Sequence, residues 1–140
     1  MAETLRLRVV TPERLLLDEE VDEVTAPGTE GEFGVLPNHI TFLSSLQPGR
    51  LSYKQGGQVR FLAVSGGFAE VRDNVVTILT DSAEFADEID VERARAALRA
   101  AEESLRTLAV TDPVFIEVQA AHQRARVRIE VAESVVVVRG

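Results

Sequence analysis

"EIDVERARAALRAAEESLRTL", residues 88–108, is where the periodicity of the chain changes. Val91, Ala94, Leu98, Ala101, Leu105 and Leu108 advance by three, four, three, four and three residues. That spacing lines them along one stripe of a helix and suits packing against a second helix. The two alanines in the stripe let a partner helix approach closely. Asp90 is placed to cap the start, and Arg106 suits the negative end of the helix dipole in the last turn. "TDP" at 111–113 predicts a second helix, with Asp112 as N-cap and Pro113 at the first helical position. A link of four or five residues between the two makes an antiparallel hairpin.

N-terminal to this stretch the period is two, as half-buried strands require. In "LRLRV", Leu5, Leu7 and Val9 point one way and Arg6 and Arg8 the other. "QVRFLAV" repeats the pattern with Val59, Phe61 and Ala63, and "NVVTIL" continues it. The three-residue step from Val21 to Val24 breaks alternation and predicts a bulge. Turn signals stand at "APG" (26–28), "QPG" (47–49), "QGGQ" (55–58), "SGG" (65–67) and "RDN" (72–74). Gly56-Gly57 is the strongest of them, because two-residue hairpin turns need positive φ. Short strands with Gly and Pro punctuation predict a flattened β-sandwich or barrel over 1–86, followed by a helical hairpin over 87–140.

The second helical segment reads two ways at its end. Val114, Val118, Ala121 and Ala125 keep a helical stripe, yet "RVRIEV" (126–131) alternates and "VVVV" (135–138) favours strand.

Composition narrows the function. The 140 residues carry no cysteine, so disulfides and thiolate chemistry are excluded, and no run is apolar enough for a membrane span. The start lacks the basic and apolar regions of a signal peptide, and the chain is expected to be soluble. Residues 90–140 balance eight arginines with eight acids, so the net charge of −8 lies in the first part. With few aromatics as well, nucleic acid is not an expected partner.

No active site is expected. His39 with Glu30 or Glu32 has the form of an acid–base pair, but no nucleophile or second polar cluster accompanies it. His39 and Asn38 read as parts of a shaped turn. His122, among Gln119, Gln123 and Arg124, reads as solvated. The two histidines are too far apart in sequence to suggest a metal pair, and "GTEGEFG" lacks the Lys-Ser/Thr and helix of a phosphate loop. Arg124 and Arg128 share a helical face, and with Arg93 they are able to converge on a phosphate if the helices fold back. On spacing alone they read as a solvated polar face.

In order along the chain, "PGTEGEFGVLPNH", "LQPGRL", "AVSGGFAEVRDNVVTILTDSAE" and "IDVERARAAL" resemble successive signatures of the epsilon subunit of bacterial rotary ATP synthase, from about residue 5 to about residue 133. One local departure is Ile40-Thr41, where members of the family often carry Ala-Pro after the histidine. The tail, 134–140, lies outside the resemblance.

The resemblance implies an N-terminal flattened sandwich of about ten strands, a C-terminal helical hairpin, and a non-catalytic subunit of the proton-translocating complex. It places the sandwich beside the gamma subunit at the foot of the central stalk and against the c-ring, with Glu30, Gly31, Glu32 and His39 in the contacting segment. It places the whole peripherally on the cytoplasmic face of the bacterial plasma membrane. The hairpin is expected to lie folded under the sandwich or to extend toward the catalytic alpha and beta subunits and inhibit ATP hydrolysis. No cofactor is required, but some members bind a regulatory ATP in the folded hairpin. Ile89, Asp90, Arg93 and Ala94 match the Ile/Leu-Asp-x-x-Arg-Ala motif of those members. Glu84 falls at the acidic position, and Arg124 and Arg128 at the second-helix arginines. The resemblance also favours helix to about 132, and leaves a tail of four valines to pack on the sandwich and favour the folded hairpin. The rival reading is a free-standing ATP-sensing sandwich and hairpin without a rotary partner.

Overall fold

The computed structural model describes residues 3–134 and the backbone of Val137–Val138. Eight strands precede the helices: β1 (Leu5–Val10), β2 (Leu15–Val21), β3 (Glu23–Gly28), β4 (Gly31–Val35), β5 (Phe42–Gln55), β6 (Gln58–Arg72), β7 (Val75–Leu79) and β8 (Ala83–Phe85). A single 3₁₀ turn (Ala86–Glu88) leads into α1 (Val91–Thr107) and α2 (Phe115–Ala132), and a short β9 (Val137–Val138) closes the described chain.

The long β5–β6 hairpin organises the rest. Gly56 and Gly57 turn it with φ of 56° and 84°, and its register runs without a break from Gln55↔Gln58 to Phe42↔Val71. At 14 and 15 residues these two strands stand side by side near the middle of the hydrogen-bonded strand order β2-β1-β7-β6-β5-β3-β4. "QPG" and "SGG", expected as turns, lie within these strands, with Pro48 opposite Ser65. They mark instead the place where β6 changes its partner, from β7 at Phe68–Arg72 to β8 at Leu62–Val64. Gly67 makes that change sterically possible: its φ is 116°, and a Cβ there would meet the Leu79 carbonyl oxygen at 1.9 Å.

Two other turn expectations are adjusted. "APG" belongs to β3, and the turn sits at Thr29-Glu30, joining Gly28 to its partner Gly31. The break at Val21–Val24 is a crossing between strand pairs, not a bulge: β2 pairs with β1, β3 pairs with β4 and β5, and Asp22 N–H donates to the Lys54 carbonyl at 2.7 Å. Asp73-Asn74, both at positive φ, turn β6 into β7 as expected.

The alternating residues meet in one core of Leu5, Leu7, Val9, Leu46, Leu51, Tyr53, Leu62, Val64, Val76, Ile78 and their neighbours. Strand β6 is covered on both faces. Leu62 and Val64 enter the sandwich core, whereas Ala63 and Phe61 pack against the helical hairpin. The alternation of Phe61 and Ala63 was thus a signal of the hairpin side.

In the hairpin, Asp90 caps α1 by accepting from Arg93 N–H at 3.1 Å, and Ala94 and Ala101 are its buried residues. The start of α2 is later than expected. Asp112 Oδ1 accepts from Val114 N–H at 2.9 Å, and the Asp112 carbonyl from Phe115 N–H at 3.0 Å, so a tight turn consumes Pro113 and Val114 before regular helix begins. The link therefore covers 108–114, longer than expected. "RVRIEV" is helical to Ala132: its alternation yields to the i, i+4 pairing of Val127 and Val131, which face the sandwich.

Candidate functional site: a docking seam and two exposed faces

The hairpin lies folded against the sandwich. Val131, wholly excluded from solvent, packs with Ala63 and Ile89, and Phe61, Ala86, Val127 and Ala132 close around them. At the edge of this cluster, Arg128 holds Glu84 of β8 in a two-pronged ion pair, Nε to Oε1 at 2.7 Å and Nη2 to Oε2 at 3.0 Å. Just beyond α2, Arg50 Nη1 donates to Ser134 Oγ at 3.2 Å while its guanidinium lies over the Phe61 ring. The seam therefore combines a small apolar centre with polar ties at its margin.

Several residues of the expected nucleotide motif gather here. Ile89 is buried in the seam, Ala94 is buried in the hairpin, and Asp90 is engaged as the cap. Arg124 and Arg128, with Glu84, Ser65 and Ser82, line a cavity of about 30 Å³ between β6, β8 and α2. That volume holds no more than a water or two. Arg93 is exposed and does not line it. Arg124 and Arg128 are thus brought together, with Arg128 already engaged by the Glu84 carboxylate.

Glu30, Gly31 and Glu32 occupy the exposed end of the β3–β4 hairpin, where Gly31 adopts φ 132°. His39 sits in the following loop. Its Nδ1 lies 2.8 Å from the Ile40 carbonyl and its ring meets Phe42 edge-on, next to Phe33. Asn38, at φ 67°, accepts a side-chain hydrogen bond from Asn74, and its N–H donates to Asn74 Oδ1 at 2.6 Å. The loop is thereby pinned to the β6–β7 turn. It presents Leu36 and Ile40, 58% and 76% exposed. His39 thus contributes to loop shape, as expected. His122 is half-buried on α2.

Sequence reading missed a second face. Phe68 on β6 pairs with Leu79 on β7, Leu79 with Val10 on β1, and Val10 with Leu15 on β2. Partners across a sheet share a face, so these four form an apolar row over four strands, with Leu43 diagonal to Phe68. Phe68, Leu79, Leu15 and Leu43 are 45–70% exposed. Beside the row, Arg6 donates to Asp18 and holds its carboxyl below the usual range. The signal was available in the outward positions of each alternating strand, but only strand order aligns them into one surface.

Among the described residues no group of three or more acidic or histidine side chains is arranged to hold a metal, and no helix is long and apolar enough to cross a membrane.

The comparisons cover both parts of the chain. Residues 4–86 match the family model of the ATP synthase delta/epsilon chain β-sandwich domain, and residues 87–133 that of its long α-helix domain. The ATP synthase epsilon chain of Geobacter metallireducens is 52% identical over 132 residues, covering 94% of this chain and 96% of that protein. That of Nitratidesulfovibrio vulgaris is 62% identical over 97 residues, 69% of this chain and 72% of the relative. Among solved structures, a chain of the Euglena gracilis mitochondrial ATP synthase (OSCP/F1/c-ring) aligns with TM-score 0.81 and 31% identity, over 94% of this chain and 82% of that one. A chain of the Tetrahymena thermophila central stalk and c-ring assembly shares the fold at TM-score 0.63 and 16% identity, over 93% of this chain and 97% of its own length. With both domains matched in order and relatives of this identity over nearly the full chain, the protein belongs to the ATP synthase delta/epsilon chain family, on the epsilon side of it.

Proposed function

We propose that this chain works as the epsilon subunit in the rotor stalk of a bacterial proton-translocating ATP synthase, without catalysing a reaction itself. The sandwich docks on the gamma subunit, the loop carrying Glu30, Gly31, Glu32 and His39 meets the c-ring, and rotation passes through it to the catalytic head. The folded hairpin is the permissive state, and its extension toward the alpha and beta subunits inhibits hydrolysis. The subunit sits peripherally on the cytoplasmic face of the plasma membrane, held there by the complex.

The observation that carries this reading is the apolar row Phe68–Leu79–Val10–Leu15 on a sandwich whose core is already complete. Contiguous apolar area of this kind on a soluble domain marks a protein interface. It favours the stalk over a free-standing ATP-sensing module, which has no need of such a face. Phe68→Glu is expected to reduce co-purification with the coiled-coil gamma subunit at least tenfold, since a central aromatic anchor is worth about 2 kcal/mol or more. Undiminished recovery of the complex with Phe68→Glu would remove the row from the interface.

A regulatory ATP is the second part of the proposal. Arg128 and Arg124 supply charge, and Glu84 is the group a phosphate chain displaces. Binding therefore requires local opening of the seam, which predicts weak affinity. Calorimetric titration of the full chain with ATP should show heat that is lost in Arg128→Ala and reduced in Arg93→Ala. Absence of heat for the wild type at millimolar ATP ends this part and leaves the stalk role standing.

A further inference from the structure

The chain leaves β6 where Phe85 pairs with Leu62 and returns to the same strand edge where Val137 pairs with Val59. Those two positions on β6 are three residues apart, about 10 Å along a strand. The helical hairpin is thus tied at both ends to one short length of one strand. The second tie is made by residues beyond the family match, which stops at residue 133.

We infer that β9 is a C-terminal latch, a strand in the tail beyond the family match that holds α2 down on the sandwich and biases the hairpin against leaving it. Three observations converge. Gln58 and Val59 pair with β5 on one side, and β9 supplies the partner on the other, covering an edge that would otherwise be open for pairing. Four consecutive valines suit an extended chain. The route from helix to strand is held as well. Ser134 donates its hydroxyl to the Glu130 carbonyl at 3.2 Å and accepts from Arg50 of β5, and so fastens the end of α2 to the sandwich. The seam itself is small, with Ala63, Ile89 and Val131 as its buried residues. A few added ladder bonds are therefore a large fraction of what keeps the hairpin docked, and each one contributes modestly on its own.

The physical latch is independent of the rotor reading; only its consequence, weaker inhibition of hydrolysis, rests on it. The test uses the full chain, which has no cysteine of its own. Gln58→Cys with Val138→Cys places two thiols at directly opposed positions of an antiparallel pair, within disulfide reach. Mild oxidation is expected to close this bond, and not the bond in the control pair Gln58→Cys with Val118→Cys. Ending the chain after Ser134 is expected to speed amide exchange at 127–132 about tenfold, the effect of losing a small number of net hydrogen bonds. Amides of β1 and β7 keep their protection. Failure of the opposed pair to cross-link, or unchanged exchange at 127–132 in the shortened chain, overturns the latch. If the shortened chain loses β1 and β7 protection, the cross-linked chain decides: oxidation must slow exchange at 127–132, and no slowing overturns the proposal. A latch that passes these tests while hydrolysis by the assembled complex ignores it counts against the rotor reading alone.

Discussion

Gly67→Ala is expected to cost the sandwich at least about 4 kcal/mol, a large fraction of the stability of a small domain. Two penalties add. At φ 116° an L side chain is strained, which costs about 1–3 kcal/mol. The new Cβ would also lie 1.9 Å from the Leu79 carbonyl oxygen, with the Leu79 carbonyl carbon and Thr80 Cα at 3.0 Å. These are backbone atoms, so no rotamer change relieves the clash, and β6 must separate from β7 where Phe68 pairs with Leu79. Gly56→Ala is the control. It also replaces a glycine at positive φ, 56°, but nothing lies within 4 Å of its Cβ, so it should cost only about 1–2 kcal/mol. Urea unfolding followed by circular dichroism separates them. Equal midpoints for the two variants would show that the close approach at Gly67 is not a constraint on the fold.

Val131→Asp is expected to detach the hairpin while leaving the sandwich intact. Val131 is wholly excluded from solvent between Ala63 and Ile89. A carboxylate buried there without a cation costs several kcal/mol. The chain has an escape, because α2 is able to swing out and place Asp in water, so the penalty is capped at the docking free energy of the hairpin. Exchange of amides at 127–132 should therefore accelerate by about a hundredfold or more, the signature of local opening. The urea midpoint of the sandwich should barely move. Val131→Ile, which keeps the apolar character with one added methylene, should retain docking. A sandwich that unfolds together with the hairpin would mean that the seam belongs to one cooperative core.

These two sites show unequally how much the sequence disclosed. Strand alternation located Leu5, Leu7 and Val9, and the stripe from Val91 to Leu108 located α1, because each burial pattern is set by neighbours close in sequence. Gly66-Gly67 and Pro48 were legible as irregularities but not as kinks inside strands. A turn and a partner change use the same residues, and only pairing between distant segments separates them. Val131 was hidden because "RVRIEV" satisfies both periods, and the choice between them is made by Phe61 and Ala63 on the far side of the seam. The arginine cluster was half legible. Spacing put Arg124 and Arg128 on one face, but not the Glu84 carboxylate, which pairing with β6 brings to Arg128. Least legible was the row from Phe68 to Leu15, assembled from single exposed residues of four strands.

In the function proposed above, the sandwich carries the chain into the rotor while the position of the hairpin governs hydrolysis. ATPase rates of the reconstituted catalytic complex, with bound subunit quantified in each case, test it most directly. Three chains are compared: wild type, Val131→Asp, and a chain ended after residue 88. The highest rate is expected for the shortened chain, an intermediate rate for wild type, and the lowest for Val131→Asp, whose hairpin is free to extend. Equal rates for the three, with each chain bound to the complex, would contradict it.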